Sequence, residues 1–250
     1  MGSARFLVTG MNGTVAPALA SELRARGGTI LPWDRREVPP EDDGAVERHV
    51  RETAPRALVH CGMGDPRWAE HMAACCGRMG VAFLFTSSVS VFGPHQRGPH
   101  GVDSVPEPRD GYGSYKLECE RRVLAANPAA RIVRLGWQIS LRPGGNQMVE
   151  HFMRRQGEQG HVEASTAWFQ ACSFLEDTAR VLADLLDGSS CGLHHLDGNP
   201  GWDMHRLVRA LNRAMGGPWD VRPTEDPRMN NLMRDDRMPS SSIEGRLRDG

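Results

Sequence analysis

Tyr112 and Lys116 stand four residues apart in the stretch 110–120, DGYGSYKLECE, which holds both tyrosines of this 250-residue chain and its only lysine among thirty Lys and Arg residues. On a helix, residues four apart share one face. A tyrosine with its ordinary pKa of about 10 is a poor proton donor at neutral pH, and an ammonium beside it lowers that value by stabilising the phenolate. The spacing therefore predicts a general acid, Tyr112, tuned by Lys116. A compact ammonium can serve two neighbours where the planar fork of arginine is bulkier, a reason for the lone lysine to stand here. Tyr115 is closer to the lysine in sequence but falls on another face, and is read as packing.

Two further groups of residues have chemistry in view. The stretch 9–16, TGMNGTVA, carries Gly10 and Gly13 with the small Ala16. It combines a tight turn, close backbone approach to a pyrophosphate and close packing of a helix on a strand. With a strand before it, a helix after it and Asp34 ending the second strand, it predicts a dinucleotide site formed by Gly10, Asn12, Gly13, Thr14, Val15, Asp34 and Arg35. An acid at position 34 favours the free ribose hydroxyls of NAD, and Arg35 and Arg36 beside it favour the 2′-phosphate of NADP, so the choice of cofactor stays open. In the stretch 86–93, TSSVSVFG, the Ser88 hydroxyl follows an apolar strand, where open α/β sheets place their ligands. Serines also cap turns, and for Ser88 alone both readings stand.

The elements that must position these residues alternate. Short apolar strands are expected at 5–9, 29–33, 57–61, 81–85, 130–135 and 192–196. Helices are expected at 13–26, 44–53, 67–79, 112–126, 148–156, 173–186 and 202–215, with a long Pro- and Gly-rich loop over 92–111. Continuous apolar strands alternating with helices predict an α/β fold, a Rossmann-type doubly wound parallel sheet, with a small C-terminal substrate-binding lobe. The core is assigned to 1–140 with 173–197 returning to it, the lobe to 141–172 and 198–240, and a weakly ordered tail to 241–250. A net charge of −1 gives no footprint for nucleic acid. No apolar run reaches the roughly 20 residues that span a bilayer, so the expected location is the cytoplasm and no membrane partner is expected. Cysteines 61, 75, 76, 119, 172 and 191 form no CxxC pair and read as reduced, mostly buried thiols. Neither His60 with Cys61 nor His194 with His195 makes a chelate alone, because neighbours on a strand point to opposite faces, and no metal site is expected.

TGxxGxxA at the N-terminus, a serine before VFG, and YxxxK on the following helix together resemble the extended short-chain dehydrogenase/reductase family over roughly the first 140 residues. The resemblance implies Ser88, Tyr112 and Lys116 as the catalytic set, with Tyr112 and Lys116 also touching the cofactor, NADP or NAD, and Cys61 and Gly62 in its turn HCGMG. Farther on, IVRLGWQIS, RPGGNQM, FLEDTARVLADLL and GLHHLDGNPGW resemble the dTDP-4-dehydrorhamnose reductase branch, which implies substrate contacts at Ser88, Ser90, Trp137 and Asn146. That branch usually carries Asp and Tyr where Val89 and Ser90 stand, and the chain is shorter than most of its relatives. The implied activity is reduction of the keto group of a nucleotide-activated sugar or a related small-molecule intermediate. A nucleotide-sugar 4-epimerase with tightly held NAD and a non-catalytic NAD(P)-binding regulatory subunit are the alternatives. Self-association into a homodimer is left open.

Overall fold

The computed structural model describes residues 3–142, 144–239 and 242–247. Along the chain run β1 (Arg5–Thr9), α1 (Val15–Ala25), β2 (Thr29–Pro32), α2 (Asp43–Thr53), β3 (Ala57–His60), α3 (Pro66–Met79), β4 (Ala82–Ser88), α4 (Gly111–Ala126) and β5 (Arg131–Leu135). Then follow β6 (Trp137–Ile139), α5 (Met148–Gln159), β7 (Val162–Ser165), β8 (Trp168–Phe169), β9 (Cys172–Phe174), α6 (Leu175–Asp187), β10 (Gly192–Leu196), α7 (Met204–Ala214), β11 (Val221–Thr224), β12 (Met229–Asn230) and α8 (Ile243–Leu247). Six strands form one parallel sheet in the order β10-β5-β4-β3-β1-β2, the doubly wound α/β arrangement expected from the sequence.

Successive residues of these strands enter different cores, as the two-residue period of a strand requires. Phe6, Val8, Ala57, Val59, Leu84 and Val133 face α1 and α6, where Leu19, Leu23, Leu182 and Leu186 meet them. Leu7, Leu58, Phe83, Phe85 and Ile132 face α2, α3 and α4, where Val46, Val50, Trp68, Met72 and Val123 close the other side. Helix starts are set by local chemistry. The Asp42, Asp65 and Asp110 side chains accept from backbone N–H groups of the first turns of α2, α3 and α4, and Pro66 opens α3. Gly80, at φ 66°, ends α3.

A third core joins α5 and α7 to the short strands of the second lobe through Phe152, Trp202, Leu207, Leu211 and Trp219. This region departs from the sequence reading in two ways. Strands β6, β7, β8, β9, β11 and β12 have two to four residues each, too short for alternation to be visible, and pair parallel at a distance as β6 with β9, β7 with β11 and β8 with β12. The tail expected to be weakly ordered is corrected in its described part: residues 243–247 form α8, and Ile243 and Leu247, four apart on one face, are buried in the third core.

His194 and His195 have different partners. His194 Nδ1 lies 3.7 Å from Asp235, whereas His195 Nε2 accepts from Arg134 at 3.2 Å and its Nδ1 donates to the His100 carbonyl at 3.2 Å. Burial, followed by the charge of Arg134, brings the His195 pKa down to about 4. Unfolded, it would titrate near 6.5. This histidine therefore contributes stability that is complete above pH 6.5 and is lost as the pH falls towards 4, by about 3 kcal/mol at the limit. Urea unfolding of wild type and His195→Gln at pH 7 and pH 4.5 should show the smaller acid loss in the variant. No helix among the described residues is long and apolar enough to cross a membrane.

Candidate active site

The carboxyl ends of β1 to β5 open into a cavity of about 1280 Å³. All fifteen site residues named from the sequence line it: Gly10, Asn12, Gly13, Thr14, Val15, Asp34, Arg35, Cys61, Gly62, Ser88, Ser90, Tyr112, Lys116, Trp137 and Asn146. They come from the turn after β1, the end of β2, the turn after β3, the end of β4, the first turns of α4, β6 and the turn before α5. In a sheet of this order, β1 and β3 are neighbours with connections leaving in opposite directions, which is where such folds leave a crevice.

The glycine turn is shaped by backbone contact. Gly10 has φ 78°, and a Cβ there would lie 2.7 Å from the Cys61 carbonyl carbon and 2.7 Å from the Gly62 nitrogen. Thr9 Oγ1 fastens the same two strands, accepting from Gly62 N at 3.0 Å and bonding His60 Nδ1 at 2.8 Å. The start of α1 holds no acidic residue in its first turn, and the hydroxyl of its N-cap Thr14 makes no capping bond. That hydroxyl instead accepts from Asn146 N at 3.1 Å, bringing the turn of the second lobe onto the glycine turn. A helix N-terminus free of carboxylates, beside a glycine that permits close approach, fits the pyrophosphate of a dinucleotide.

At the end of β2, Asp34 accepts from Arg36 through the backbone at 2.9 Å and the guanidinium at 2.6 Å and 3.1 Å. These bonds hold the carboxyl down at about 2, ionised and able to accept from ribose hydroxyls. Arg35 turns the other way, donating to the Met63 carbonyl with its guanidinium 4.7 Å over the Trp68 ring. Arg36 is thus the more exposed cation on this wall.

On the opposite side, β4 runs through Ser88, three residues beyond the expected end, because Ser87 and Ser88 pair with Arg134 and Leu135 of β5. Ser88 Oγ accepts from Ser90 N and donates to Ser90 Oγ, both at 3.1 Å, closing a short 3-10 turn at Val89–Val91. Helix α4 packs its first turn on that turn: a Cβ on Gly113 would fall 2.1 Å from the Ser90 carbonyl oxygen. The close approach sets Tyr112 on the cavity wall with Ser88. Gly113→Ala should push α4 outward, costing about 1–3 kcal/mol in urea unfolding and about 100-fold in any turnover that uses Tyr112, as its side chain moves on the cavity wall.

Lys116 is 3% exposed, donates to the Thr86 carbonyl at 2.8 Å and sits 4.7 Å over the Phe85 ring. Burial lowers its pKa, opposed by Cys61, Cys119 and Glu120. The expected depression of the Tyr112 phenol by this lysine is corrected. Loss of hydration raises the phenol, the Ser88 hydrogen bond opposes this, and the Asp110 carboxylate adds to it. The reason is geometric, since the ammonium is bonded to Thr86 and lies 5.8 Å from the Tyr112 ring centre. Tyr115 packs against the core on the α3 side, and its hydroxyl accepts from Gly64 N at 3.1 Å. Burial pushes the Cys61 thiol up to about 11, so it stays protonated.

Sequence reasoning missed several cavity residues, among them Trp33, Thr86, Ser87, Gly136 and Gln138. Gly136 carried a signal in its place between β5 and Trp137: a Cβ there would lie 2.4 Å from Ala171 backbone atoms, so only glycine lets the chain turn from β5 into β6. Outside the cavity, Glu47, His71 and Cys75 bring ligand-type atoms within 4.8 Å of one another, and the Arg78 guanidinium bonds both Glu47 and Cys75. The six cysteines are free thiols.

A parallel sheet that brings the glycine turn, Asp34, Ser88, Tyr112 and Lys116 to one cavity has the arrangement of an extended short-chain dehydrogenase/reductase. Residues 66–236 match the family described as the RmlD substrate binding domain, and the chain belongs to that family. The dTDP-4-dehydrorhamnose reductase of Streptomyces griseus is 28% identical over 243 residues, covering 88% of this chain and 79% of the relative. Methionine adenosyltransferase 2 subunit beta of Xenopus laevis is 26% identical over 257 residues, covering 90% of this chain and 76% of the relative. The crystal structure of dTDP-4-dehydrorhamnose reductase from Bacillus anthracis in complex with NADP superposes with a TM-score of 0.85 at 18% identity, over 99% of this chain and 98% of that one, a likeness of fold.

Proposed function

We propose that the protein is an NAD(P)H-dependent reductase of the keto group of a nucleotide-activated sugar. The observation that carries this reading is the convergence of Ser88, Tyr112 and Lys116 with the glycine turn and Asp34 on one cavity. Gly10, Gly13 and the N–H groups opening α1 would hold the pyrophosphate, and Asp34 the adenosine ribose, with Lys116 at the nicotinamide ribose. The chemistry contributed by a bound reduced nicotinamide is a hydride for the carbonyl carbon.

The chain's own residues then manage the oxygen. Ser88 donates a hydrogen bond that orients it, and Tyr112 gives it a proton as negative charge develops. With its pKa raised, Tyr112 enters the reaction protonated, as an acid must. Lys116 supports the proton supply. Trp137, Asn146 and Ser90 line the same cavity and are the residues that would meet the sugar. Titrating the protein with NADPH and NADH, then adding dTDP-4-keto sugars, tests the reading: one reduced cofactor should bind and be consumed in step with product.

A second reading rests on the likeness to a methionine adenosyltransferase beta subunit: a cofactor-binding regulatory subunit without turnover. It predicts tight cofactor binding with no ketone reduced and full biological activity in Tyr112→Phe. The complete Ser/Tyr/Lys set favours the reductase.

A further inference from the structure

Behind the catalytic set lies a buried ionic group that neither the motifs nor the mechanism uses. Ser87, Arg134 and His195 are register neighbours on β4, β5 and β10, a row of three polar side chains across the sheet. Glu120 reaches them from α4, one helical turn beyond Lys116 and two beyond Tyr112. Its carboxylate accepts from the Ser87 hydroxyl and from Arg134 twice, Nε at 2.9 Å and the terminal nitrogen at 2.7 Å. Arg134 spends its remaining fork on His195 at 3.2 Å. Ser87, Glu120, Arg134 and His195 are each less than 5% exposed.

A buried ion pair is poor evidence for stability, because apolar residues of similar volume often serve as well or better. Its position is the informative part. We propose that Glu120 is a positioning residue for the reaction, holding the Ser87–Ser88 strand end and the Lys116 ammonium in register from the back of the site. This rests on the reductase reading for its catalytic consequence but not for its electrostatic one. Ser87 adjoins Ser88, so anchoring the Ser87 hydroxyl fixes the strand end that carries Ser88 into the cavity with Tyr112. Lys116 faces Cys61 and His60 from β3 and its following turn, Phe85 and the Thr86 carbonyl from β4, and Tyr112, Tyr115, Cys119 and Glu120 from its own helix. Burial lowers the ammonium pKa, and Glu120, the carboxylate among these groups, opposes that lowering after Cys61 and Cys119.

The single lysine makes this measurable without activity. Protein made with lysine labelled by ¹³C at Cε gives one side-chain resonance, whose titration reports Lys116 alone. Glu120→Gln should lower its midpoint by about one pH unit, the scale on which a nearby opposite charge acts. It should also lower kcat tenfold or more and leave cofactor Kd within threefold. Ser87→Ala, which keeps the ion pair, should lower kcat several-fold with the lysine midpoint unchanged. If Glu120→Gln does not fold, the paired change Glu120→Gln with Arg134→Met leaves no buried charge uncompensated, frees Ser87 of its carboxylate partner and should lower kcat tenfold or more. A wild-type lysine midpoint in Glu120→Gln, or a wild-type kcat in whichever of Glu120→Gln and the paired variant folds, overturns the proposal. If wild type reduces no ketone, the reductase reading fails, while the lysine titration still decides the assignment of Glu120.

Discussion

Tyr112→Phe is expected to lower kcat for ketone reduction by about 10²–10⁴-fold, the range for removing a positioned general acid. Cofactor affinity should change by less than about threefold. The phenol ring stays, and with it the wall of the cavity, while the hydroxyl that would give the proton is lost. The fold should be unaffected, since the residue is 43% exposed. Steady-state kinetics with a fluorescence titration of the reduced cofactor separates the two effects. Tyr115→Phe is the control: it loses the bond from Gly64 N outside the cavity and should retain most of the activity.

Gly10→Ala is expected to abolish measurable cofactor binding and to cost about 2–4 kcal/mol in urea unfolding. Two penalties combine. A side chain at φ 78° is strained wherever it stands, and the added Cβ would sit 2.7 Å from backbone atoms of Cys61 and Gly62 that have no rotamer to change. Relief requires β1 and β3 to part at the bonds between Thr9, His60 and Gly62, which shape the floor of the crevice. Gly27→Ala is the comparison. That residue also has positive φ, at 82°, but its Cβ would meet nothing within 4 Å, so only the backbone strain should appear and the cofactor should still bind.

The parts of this site legible in the sequence are those set by local geometry. Tyr112 and Lys116 share a helix face because they are four apart, and the glycine turn is visible because close approach limits what can stand at Gly10. The order of strands and helices was readable for a related reason, since strands covered on both faces leave continuous apolar runs such as VAFLF. What escaped depends on distant partners. The sequence TSS after that run looks like a turn, yet pairing with Arg134 and Leu135 carries β4 through it. The raised pKa of Tyr112 comes first from burial, and the Lys116 ammonium is held by the Thr86 carbonyl thirty residues away. Glu120 closes the quoted stretch DGYGSYKLECE, but its use requires Ser87 and Arg134 from two strands. The short strands of the second lobe and the two-residue apolar signature of α8 are below the length at which periodicity can be read.

The chain is similar both to a named dTDP-4-dehydrorhamnose reductase and to a named methionine adenosyltransferase subunit beta, so the central claim is turnover. The most direct measurement supplies NADPH or NADH carrying deuterium at the transferable position, together with a dTDP-4-keto sugar, and follows the label into product by mass spectrometry and NMR. One deuterium on the former carbonyl carbon for each cofactor oxidised, lost in Tyr112→Phe, is the predicted result. Bound cofactor that is neither consumed nor transferred to any ketone offered would contradict it.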